Sequence, residues 1–146
     1  MKLTAFTDYS LRVLMYLATD TSRRATIAEI AASFGISENH LVKVVHFLGK
    51  RGWIDTVRGK GGGISLALPP AKVNIGQVVR DAEGAALPAE CFSADGGHCV
   101  ITGSCRLKGV LGEAVKAFYA VLDRYTLEDI TRNRHALGKV LLIHAA

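Results

Sequence analysis

Long apolar stretches are missing from this chain of 146 residues, and their absence limits where the protein can work. No run approaches the roughly 20 apolar residues that a membrane-spanning helix needs. Asp8 and Arg12 interrupt the first apolar segment before it reaches the length of a cleavable signal peptide. We therefore expect a cytoplasmic protein that has no membrane partner.

Cysteine is scarce and unevenly placed. The chain has 3 cysteines, all between positions 91 and 105, and an odd, clustered set argues against an extracellular disulfide framework. Internal repeats, low-complexity tracts, a nucleophile–base pair, a phosphate-binding loop and a cofactor fingerprint are also missing from the sequence. An enzyme is therefore not expected, although a metal- or thiol-dependent enzyme that uses the cysteine segment stays a minor alternative.

Positive charge is concentrated in the first half of the chain. The formal net charge is +5; residues 1–80 hold 11 Lys and Arg against 5 Asp and Glu, and residues 81–146 hold 7 against 8. The excess lies where a polyanion such as nucleic acid would bind, with a generally basic surface as the alternative. The length favours one domain with an appended element, large enough to bury a core without disulfides.

Three amphipathic helical segments open the chain. The first runs from about residue 4 to 19 and carries an apolar stripe, formed by Phe6, Tyr9, Val13, Leu14 and Leu17. Thr26 and Glu29 form a capping-box pattern for a second helix, which ends at Gly35. Ser37 caps a third helix that Gly52 closes, with apolar positions at Leu41, Val44, Val45 and Leu48. Two short helices joined by a tight turn containing glycine predict a helix-turn-helix unit.

A β-hairpin is predicted directly after the third helix. Residues 53–57 and 64–68 alternate like strands, and the turn between them, residues 58–63, is rich in glycine and basic. Pro69 and Pro70 end the second strand, and a further helix follows from Asn74 to Glu83. The predicted fold is mainly α with a small β-hairpin: a winged helix-turn-helix domain over residues 1–83.

The remaining chain is expected to supply a loop and a dimerisation helix. Residues 84–104 form a long loop, which in a compact chain is usually functional or disordered. Apolar residues then recur at a spacing of 4-3-4-3-4, at Leu107, Leu111, Ala114, Phe118, Val121 and Tyr125. This pattern favours an interhelical seam in a homodimer, with packing on the same domain as the alternative. Thr126 caps a last short helix, and residues 105–146 are assigned to the dimerisation helix and a C-terminal tail, whose apolar residues 140–143 would pack on a neighbour.

The third helix is the predicted recognition helix. Its beginning, from Ser37, exposes Glu38, Asn39 and His40, which would reach base edges in the major groove. Asn can bond adenine through two hydrogen bonds, and Glu can accept from the amino group of cytosine.

Five cations are expected to hold the DNA backbone. Lys43, Lys50 and Arg51 are placed for phosphates, which position a protein without reading sequence. Arg58 and Lys60 at the hairpin tip would enter the minor groove or clamp its phosphates. The predicted partner is a double-stranded, pseudo-palindromic operator bound by a homodimer, with half-sites one or two turns apart, at roughly 34 Å per turn.

The cysteines predict a metal or redox site. Cys91, Cys99 and Cys105 have 7 and 5 residues between them, and thiolates select zinc, copper(I) or iron–sulfur clusters. The wide gaps favour a larger cluster over a tight zinc site. A fourth ligand is missing; Asp95 and His98 are the local candidates. Incidental thiols and a redox disulfide are the alternatives.

Several segments together resemble one known family. They are Leu3-Thr4, Thr7-Asp8-Tyr9, Leu11-Arg12, Asn39-His40-Leu41-Val42-Lys43, Val57-Arg58-Gly59, Gly62-Gly63, Ile75-Gly76, Val78-Val79-Arg80 and Cys105-Arg106-Leu107. With these segments the chain resembles, over nearly its whole length, the Rrf-type family of winged-helix iron–sulfur repressors. Within that family it is most similar to the members that sense nitric oxide.

The resemblance implies a 4Fe–4S cluster held by Cys91, Cys99 and Cys105, with Asp8 of the partner subunit as fourth ligand. An ion pair between Asp8 and Arg12, one helical turn apart, is a local role that is compatible with ligation. Members with a 2Fe–2S cluster use a histidine three residues after the third cysteine, where this chain has Lys108.

One departure concerns the stretch from Cys91 to Cys99, which is longer by a few residues than in the members that the chain most resembles. The extra residues are placed within 93–97, and they leave His98 or Asp95 as replacements for Asp8. The resemblance implies a repressor that binds operator DNA upstream of nitric-oxide detoxification genes and releases it on nitrosylation. The alternative is the same DNA-binding fold sensing iron or redox state, through a 2Fe–2S cluster or a thiol switch.

Overall fold

Over residues 2–84 and 87–145, which a computed structural model describes, the chain forms seven α-helices and one two-stranded hairpin. The elements are, in order, α1 (Ala5–Thr19), α2 (Ile27–Phe34), α3 (Glu38–Lys50), β1 (Ile54–Val57), β2 (Gly63–Leu66), α4 (Ile75–Glu83), α5 (Arg106–Leu122), α6 (Leu127–Ile130) and α7 (Arg134–Ala145). Met1, Ala85, Ala86 and Ala146 fall within predicted segments but lie outside the described residues. Across the described ranges, no helix combines the length and the apolar character that crossing a membrane would require.

Side-chain caps fix the beginnings of the first three helices. The Thr4 side chain accepts from the Thr7 amide at 3.3 Å at the start of α1. At α2, the Glu29 amide donates to the Thr26 hydroxyl at 3.1 Å and the Thr26 amide donates to the Glu29 carboxylate at 2.6 Å. Gly35 ends α2 at φ 64°, which a glycine adopts at no steric cost. The predicted capping box at Thr26 and the predicted helix end at Gly35 are therefore confirmed, and so are the predicted caps at Ser37, Asn74 and Thr126.

One apolar core joins the helices to the hairpin. Its fully or nearly fully buried members include Val13, Leu14, Ile30, Leu41, Val44, Leu48, Ile54, Ile64, Val78 and Val79. They come from α1, α2, α3, both strands and α4, so that burial of this surface holds the helix-turn-helix and the wing in one unit.

The hairpin is tied to the helices at its base. β1 and β2 pair antiparallel, with Ile54 opposite Leu66 and Val57 opposite Gly63. The Ile64 amide donates to the Ala25 carbonyl at 2.7 Å, and the Ala25 amide donates back to the Ile64 carbonyl at 2.9 Å. Both strands are slightly shorter than predicted, since Trp53, Ala67 and Leu68 lie outside the paired segments. This anchoring sets the angle at which the wing leaves the domain.

The end of α5 is locked to α4. Arg80 on α4 donates to both carboxylate oxygens of Asp123, at 2.6 and 2.7 Å. The same guanidinium lies 4.4 Å from the centre of the Tyr119 ring. Hydrogen bonds from Arg80 are the main cause that lowers the pKa of Asp123. Gly76 makes the approach possible, because a Cβ there would lie 2.0 Å from an Asp123 carboxylate oxygen.

The C-terminal segment corrects the sequence-based prediction. Residues 134–145 form a helix, α7, rather than a tail. It packs against α1 and α2 of its own chain and buries Leu141. The helix was missed because Gly138 interrupts its sequence pattern, so packing rather than local propensity decides its structure. The side chain of Ile143, the last residue of the predicted apolar run, lies outside the described part.

Candidate DNA-binding surface and cysteine loop

The face of α3 that points away from the core is polar and exposed. Asn39, Lys43, His46 and Lys50 follow one another at a spacing of 4-3-4, on the side opposite the buried Leu41 and Leu48. All four are exposed. A helix that buries one stripe and presents an amide, an imidazole and two ammonium groups on the other can enter a groove of duplex DNA.

The beginning of α3 is held by a cap and by an aromatic contact. The Ser37 hydroxyl accepts from the His40 amide at 3.2 Å, so this predicted DNA contact already serves as the N-cap. The His40 ring lies 6.3 Å from the Tyr9 ring on α1, centre to centre. Glu38 and Asn39 remain exposed beside them. The helix dipole adds partial positive charge at this end, which suits a phosphate or the edge of a base.

The wing places its cations at the tip of a glycine turn. Arg58 and Lys60 are exposed between the two strands. The Gly62 amide donates to the Gly59 carbonyl at 2.9 Å and closes the turn. A Cβ at Gly62 would lie 2.2 Å from the Val57 carbonyl oxygen, so only glycine fits there. The turn is therefore tight as well as basic.

The cations of α3 and of the wing are not neutralised by neighbouring carboxylates. Within the described part of the chain, the ion pairs join Arg12 with Asp8, Arg23 with Asp20 and Glu29, Arg80 with Asp123, and Arg132 with Asp129. None of these pairs uses Lys43, Lys50, Arg51, Arg58 or Lys60. Arg51 instead lies 5.8 Å from the centre of the Phe47 ring. Unpaired surface cations can bind phosphates and release the counterions condensed on DNA.

Two further residues of this surface were not predicted from the sequence. Val42 on α3 is 51% exposed, and an apolar side chain there can contact a thymine methyl group. Its position outside the buried stripe was the available signal. Arg24 is exposed, and its Cβ lies beside Gly63 at the base of the wing. No local pattern indicated Arg24, because the pairing of Ala25 with Ile64 brings it there.

The three cysteines lie on or at the end of one loop. Cys91 is in a 3-10 turn (Glu90–Phe92), Cys99 precedes a second one (Thr102–Ser104), and Cys105 is the N-cap residue of α5. All three thiols are free and partly exposed. Among the residues described, no three His, Cys, Asp or Glu side chains gather closely enough to hold one metal ion. The donor set thus fits the chemistry of an iron–sulfur cluster, while one chain alone does not form a compact single-ion site.

The segment from 93 to 97 folds back on Cys91. The Gly96 amide donates to the Ser93 carbonyl at 2.9 Å, and the Gly97 amide donates to the Asp95 carboxylate at 3.1 Å. The Ser93 hydroxyl, foremost, and the Gly97 amide donate to this carboxylate and lower the pKa of Asp95. Asp95 is therefore engaged within the loop of its own chain.

Asp8 lies on the first turn of α1, where its carboxylate pairs with Arg12 at 2.7 Å. Arg12 also lies 5.9 Å from the centre of the Tyr9 ring and 5.7 Å from that of Phe34. Asp8 is not gathered with the loop cysteines into a site within one chain, across the described residues. The predicted local ion pair is thus present, and the Asp8 side chain remains partly exposed.

Helix α5 carries an apolar surface that its own chain covers only in part. Phe118, Tyr119 and Leu122 near its end pack on the core. Leu107 and Val110 near its beginning are 60% and 61% exposed. Of the predicted apolar stripe, Phe118 packs on the core, while Leu107, Ala114, Val121 and Tyr125 are exposed in the single chain.

Helix-turn-helix, wing and basic recognition surface together define a winged-helix transcriptional regulator. A family model described as "Rrf2: Iron-dependent Transcriptional regulator" matches residues 3–133. The chain belongs to the Rrf2 family. It is 49% identical over 142 residues to the HTH-type transcriptional regulator NsrR of Bacillus subtilis, covering 97% of each chain. It is 50% identical over 142 residues to NsrR of Geobacillus kaustophilus, again covering 97% of each. The resemblance to the Rrf-type family is thereby confirmed by the family model and by the NsrR relatives, which are transcriptional regulators rather than enzymes.

Solved structures give the same fold. The IscR structure from T. potens has a TM-score of 0.72 and 27% identity, with 91% of this chain and 88% of that chain covered. CymR, the global cysteine regulator of Bacillus subtilis, has a TM-score of 0.70 and 27% identity, with 91% and 98% covered. The mainly helical fold with a small hairpin is therefore confirmed.

Proposed function

We propose that this regulator is a homodimeric repressor that binds a pseudo-palindromic operator and carries a 4Fe–4S cluster through which it senses nitric oxide. Cys91, Cys99 and Cys105 would hold the cluster, with Asp8 of the partner subunit as fourth ligand. Nitric oxide would release the protein from DNA.

The observation that carries the DNA-binding part is the unpaired cationic surface of α3 and the wing. Its cations have no carboxylate partner among the described residues. Asn39 and Glu38 at the start of the same helix are exposed and carry the acceptors and donors that base edges require. This arrangement separates phosphate contacts from base contacts on one surface.

The proposal of a homodimer rests on the exposed apolar half of α5. Leu107 and Val110 lie on the same helix as Cys105, which begins it. Two copies that cover this surface would bury apolar area and place two recognition helices in a symmetric pair. A symmetric pair reads a pseudo-palindrome.

The cluster is supported by the donor set and by the relatives. Three free thiols lie on one short segment, the family description is iron-dependent, and the relatives are NsrR proteins. A bound cluster would supply iron atoms that react with nitric oxide. Three thiolates leave one iron for another ligand, and the partly exposed carboxylate of Asp8 is of the type that exchanges readily.

A continuous set of contacts connects the cysteine loop with the wing. Cys105 begins α5, and Asp123 just after this helix is held by Arg80 on α4. The next residue of α4, Asp81, accepts from the indole nitrogen of Trp53 at 3.1 Å, at the base of the wing. A change in the loop that moves α5 would therefore also displace α4 and, through Trp53, the base of the wing. Such a switch works if the two loop states differ by a few kcal/mol in their preference for the DNA-binding arrangement.

The direct test of the cofactor is anaerobic purification with iron and sulfide analysis and Mössbauer spectroscopy. We expect four irons and four sulfides per chain, lost in each Cys→Ala variant. In Asp8→Ala the spectrum of one iron should change, and in His98→Ala it should not. A reconstituted wild-type protein without iron or sulfide contradicts the proposal.

A second candidate keeps the DNA-binding fold and changes the signal. The three cysteines are free thiols that form no compact ion site in one chain, which also suits a thiol switch or a 2Fe–2S sensor of iron or redox state. Comparing derepression by nitric oxide, peroxide and iron starvation separates the candidates. Response to peroxide alone favours the thiol switch, and response to iron starvation alone favours an iron sensor.

A further inference from the structure

We propose that residues 93–97 act as a clip that positions Cys91 and Cys99, with Gly97 and Asp95 as its positioning residues. This inference rests on the proposed function, since it assigns a role in holding the cluster to residues that are not ligands. It concerns the segment that is longer here than in the members that the sequence most resembles.

The contact that closes the clip is made by Gly97. A Cβ built at this residue would lie 2.7 Å from the carbonyl oxygen of Glu90 and 3.4 Å from the amide nitrogen of Cys91. The backbone of Gly97 is thus packed against the backbone of the first cysteine. Its φ of 63° is also in the left-handed region, which a glycine adopts without strain.

Hydrogen bonds hold the intervening residues in place. The carboxylate of Asp95 accepts from the Gly97 amide at 3.1 Å and from the Ser93 hydroxyl. The Ser93 hydroxyl also lies 2.7 Å from the Glu90 carbonyl. One side chain therefore joins both ends of the turn, and residues 93–97 form a self-contained unit.

The clip limits the distance between Cys91 and Cys99, which must both reach a shared cofactor. Eight extended residue steps would allow Cys91 and Cys99 to lie about 28 Å apart. With Gly97 against Cys91, only two steps remain before Cys99, and the Cα separation is limited to about 14 Å. The longer segment therefore does not loosen the site, because its extra residues are taken up by the turn.

The test compares substitutions that open the clip with a matched control. Gly97→Ala introduces the clash, and Asp95→Ala removes the acceptor. Asp95→Asn keeps an oxygen acceptor and should therefore not show the defect of Asp95→Ala. Gly103→Ala lies in the same loop with nothing within 4 Å of the added methyl group, and serves as the control.

The first readout does not need a cluster. In cluster-free protein with Cys105→Ser, the equilibrium with glutathione disulfide oxidises Cys91 and Cys99 to a disulfide and reduces one glutathione disulfide to two glutathiones. This equilibrium measures the effective concentration of one thiol at the other. We expect about a tenfold decrease in Gly97→Ala and Asp95→Ala, and values near wild type in Asp95→Asn and Gly103→Ala.

The second readout is iron and sulfide content after anaerobic reconstitution, which should follow the same order among the variants. A glutathione equilibrium unchanged by Gly97→Ala overturns the clip, and so does an equal decrease in Gly103→Ala. Failure of wild-type protein to take up iron refutes the cluster instead, while the glutathione equilibrium still decides on the clip.

Discussion

In the proposed DNA complex, single side chains on α3 have separable roles, because some would reach bases and others only phosphates. Asn39 lies near the beginning of the helix, and Lys43 and Lys50 continue the same exposed stripe. A contact to a base changes the preference for sequence, whereas a contact to phosphate changes affinity for every sequence and its dependence on salt. Substituting a base-contacting residue should therefore change sequence preference, whereas substituting a phosphate-contacting residue should change affinity for every DNA.

At residue scale, we expect Asn39→Ala to lower discrimination between operator and altered operator by about 1–3 kcal/mol. Lys43→Ala should weaken binding to both DNAs equally and reduce the slope of log affinity against log salt by about 1. Fluorescence anisotropy over a range of salt concentrations measures both. Arg132→Ala is the control, since Arg132 pairs with Asp129 away from this surface. An unchanged slope in Lys43→Ala would mean that Lys43 makes no phosphate contact.

At the scale of elements, the junction between α4 and the end of α5 is the contact most open to testing. Gly76 and Asp123 meet at a distance that excludes a methyl group. We expect Gly76→Ala to destabilise the protein, while Gly138→Ala in α7, which has open space around it, should stabilise by about 0.5–1 kcal/mol. Urea unfolding measures both changes. Equal stability of the two variants would show that α4 and α5 do not meet as described.

The same junction gives a dependence on pH. Because Arg80 lowers the pKa of Asp123 in the folded protein, the ion pair contributes stability above the unfolded value of about 3.9, and this contribution is lost as pH falls through the lower folded value. Asp123→Asn should therefore be less stable than wild type near neutral pH, and the difference should shrink below about pH 4. Thermal unfolding from pH 7 to pH 3 checks this. A difference that grows in acid would contradict the assignment.

Capping residues and a terminal glycine were enough to predict where several helices begin and end. The capping residues Thr26, Ser37 and Asn74 and the glycine at position 35 carry their information within four residues of the helix end. The clamp between Arg80 and Asp123 joins residues 43 positions apart, so no local pattern could indicate it. Helix α7 is interrupted in the sequence by Gly138 and is held by its packing on α1 and α2. For the candidate site, the residue types of the proposed ligands and DNA contacts could be recognised in the sequence. The proposed clip could not, because it depends on the close approach of the Gly97 backbone to that of Glu90 and Cys91.

At the scale of the whole molecule, the proposed recognition of a pseudo-palindromic operator requires two chains. Val110 is 61% exposed beside Leu107 on α5, and a charge placed in a buried dimer seam would be costly to desolvate. We expect Val110→Glu to shift the protein toward monomer in sedimentation analysis and to weaken operator binding. Lys116→Glu changes an exposed polar position of the same helix and should remain dimeric. A dimer unaffected by Val110→Glu would place the interface elsewhere.

In the proposed function, the state of the cysteine loop controls the affinity of a DNA-binding surface formed by α3 and the wing. The most direct measurement is operator affinity of the anaerobic, cluster-loaded dimer before and after nitric oxide, at one fixed salt concentration. We predict that nitric oxide decreases the affinity about 100-fold, equivalent to about 2.7 kcal/mol. The Cys99→Ala variant should show the same low affinity with or without nitric oxide. Equal affinity before and after nitric oxide in the wild type would contradict it.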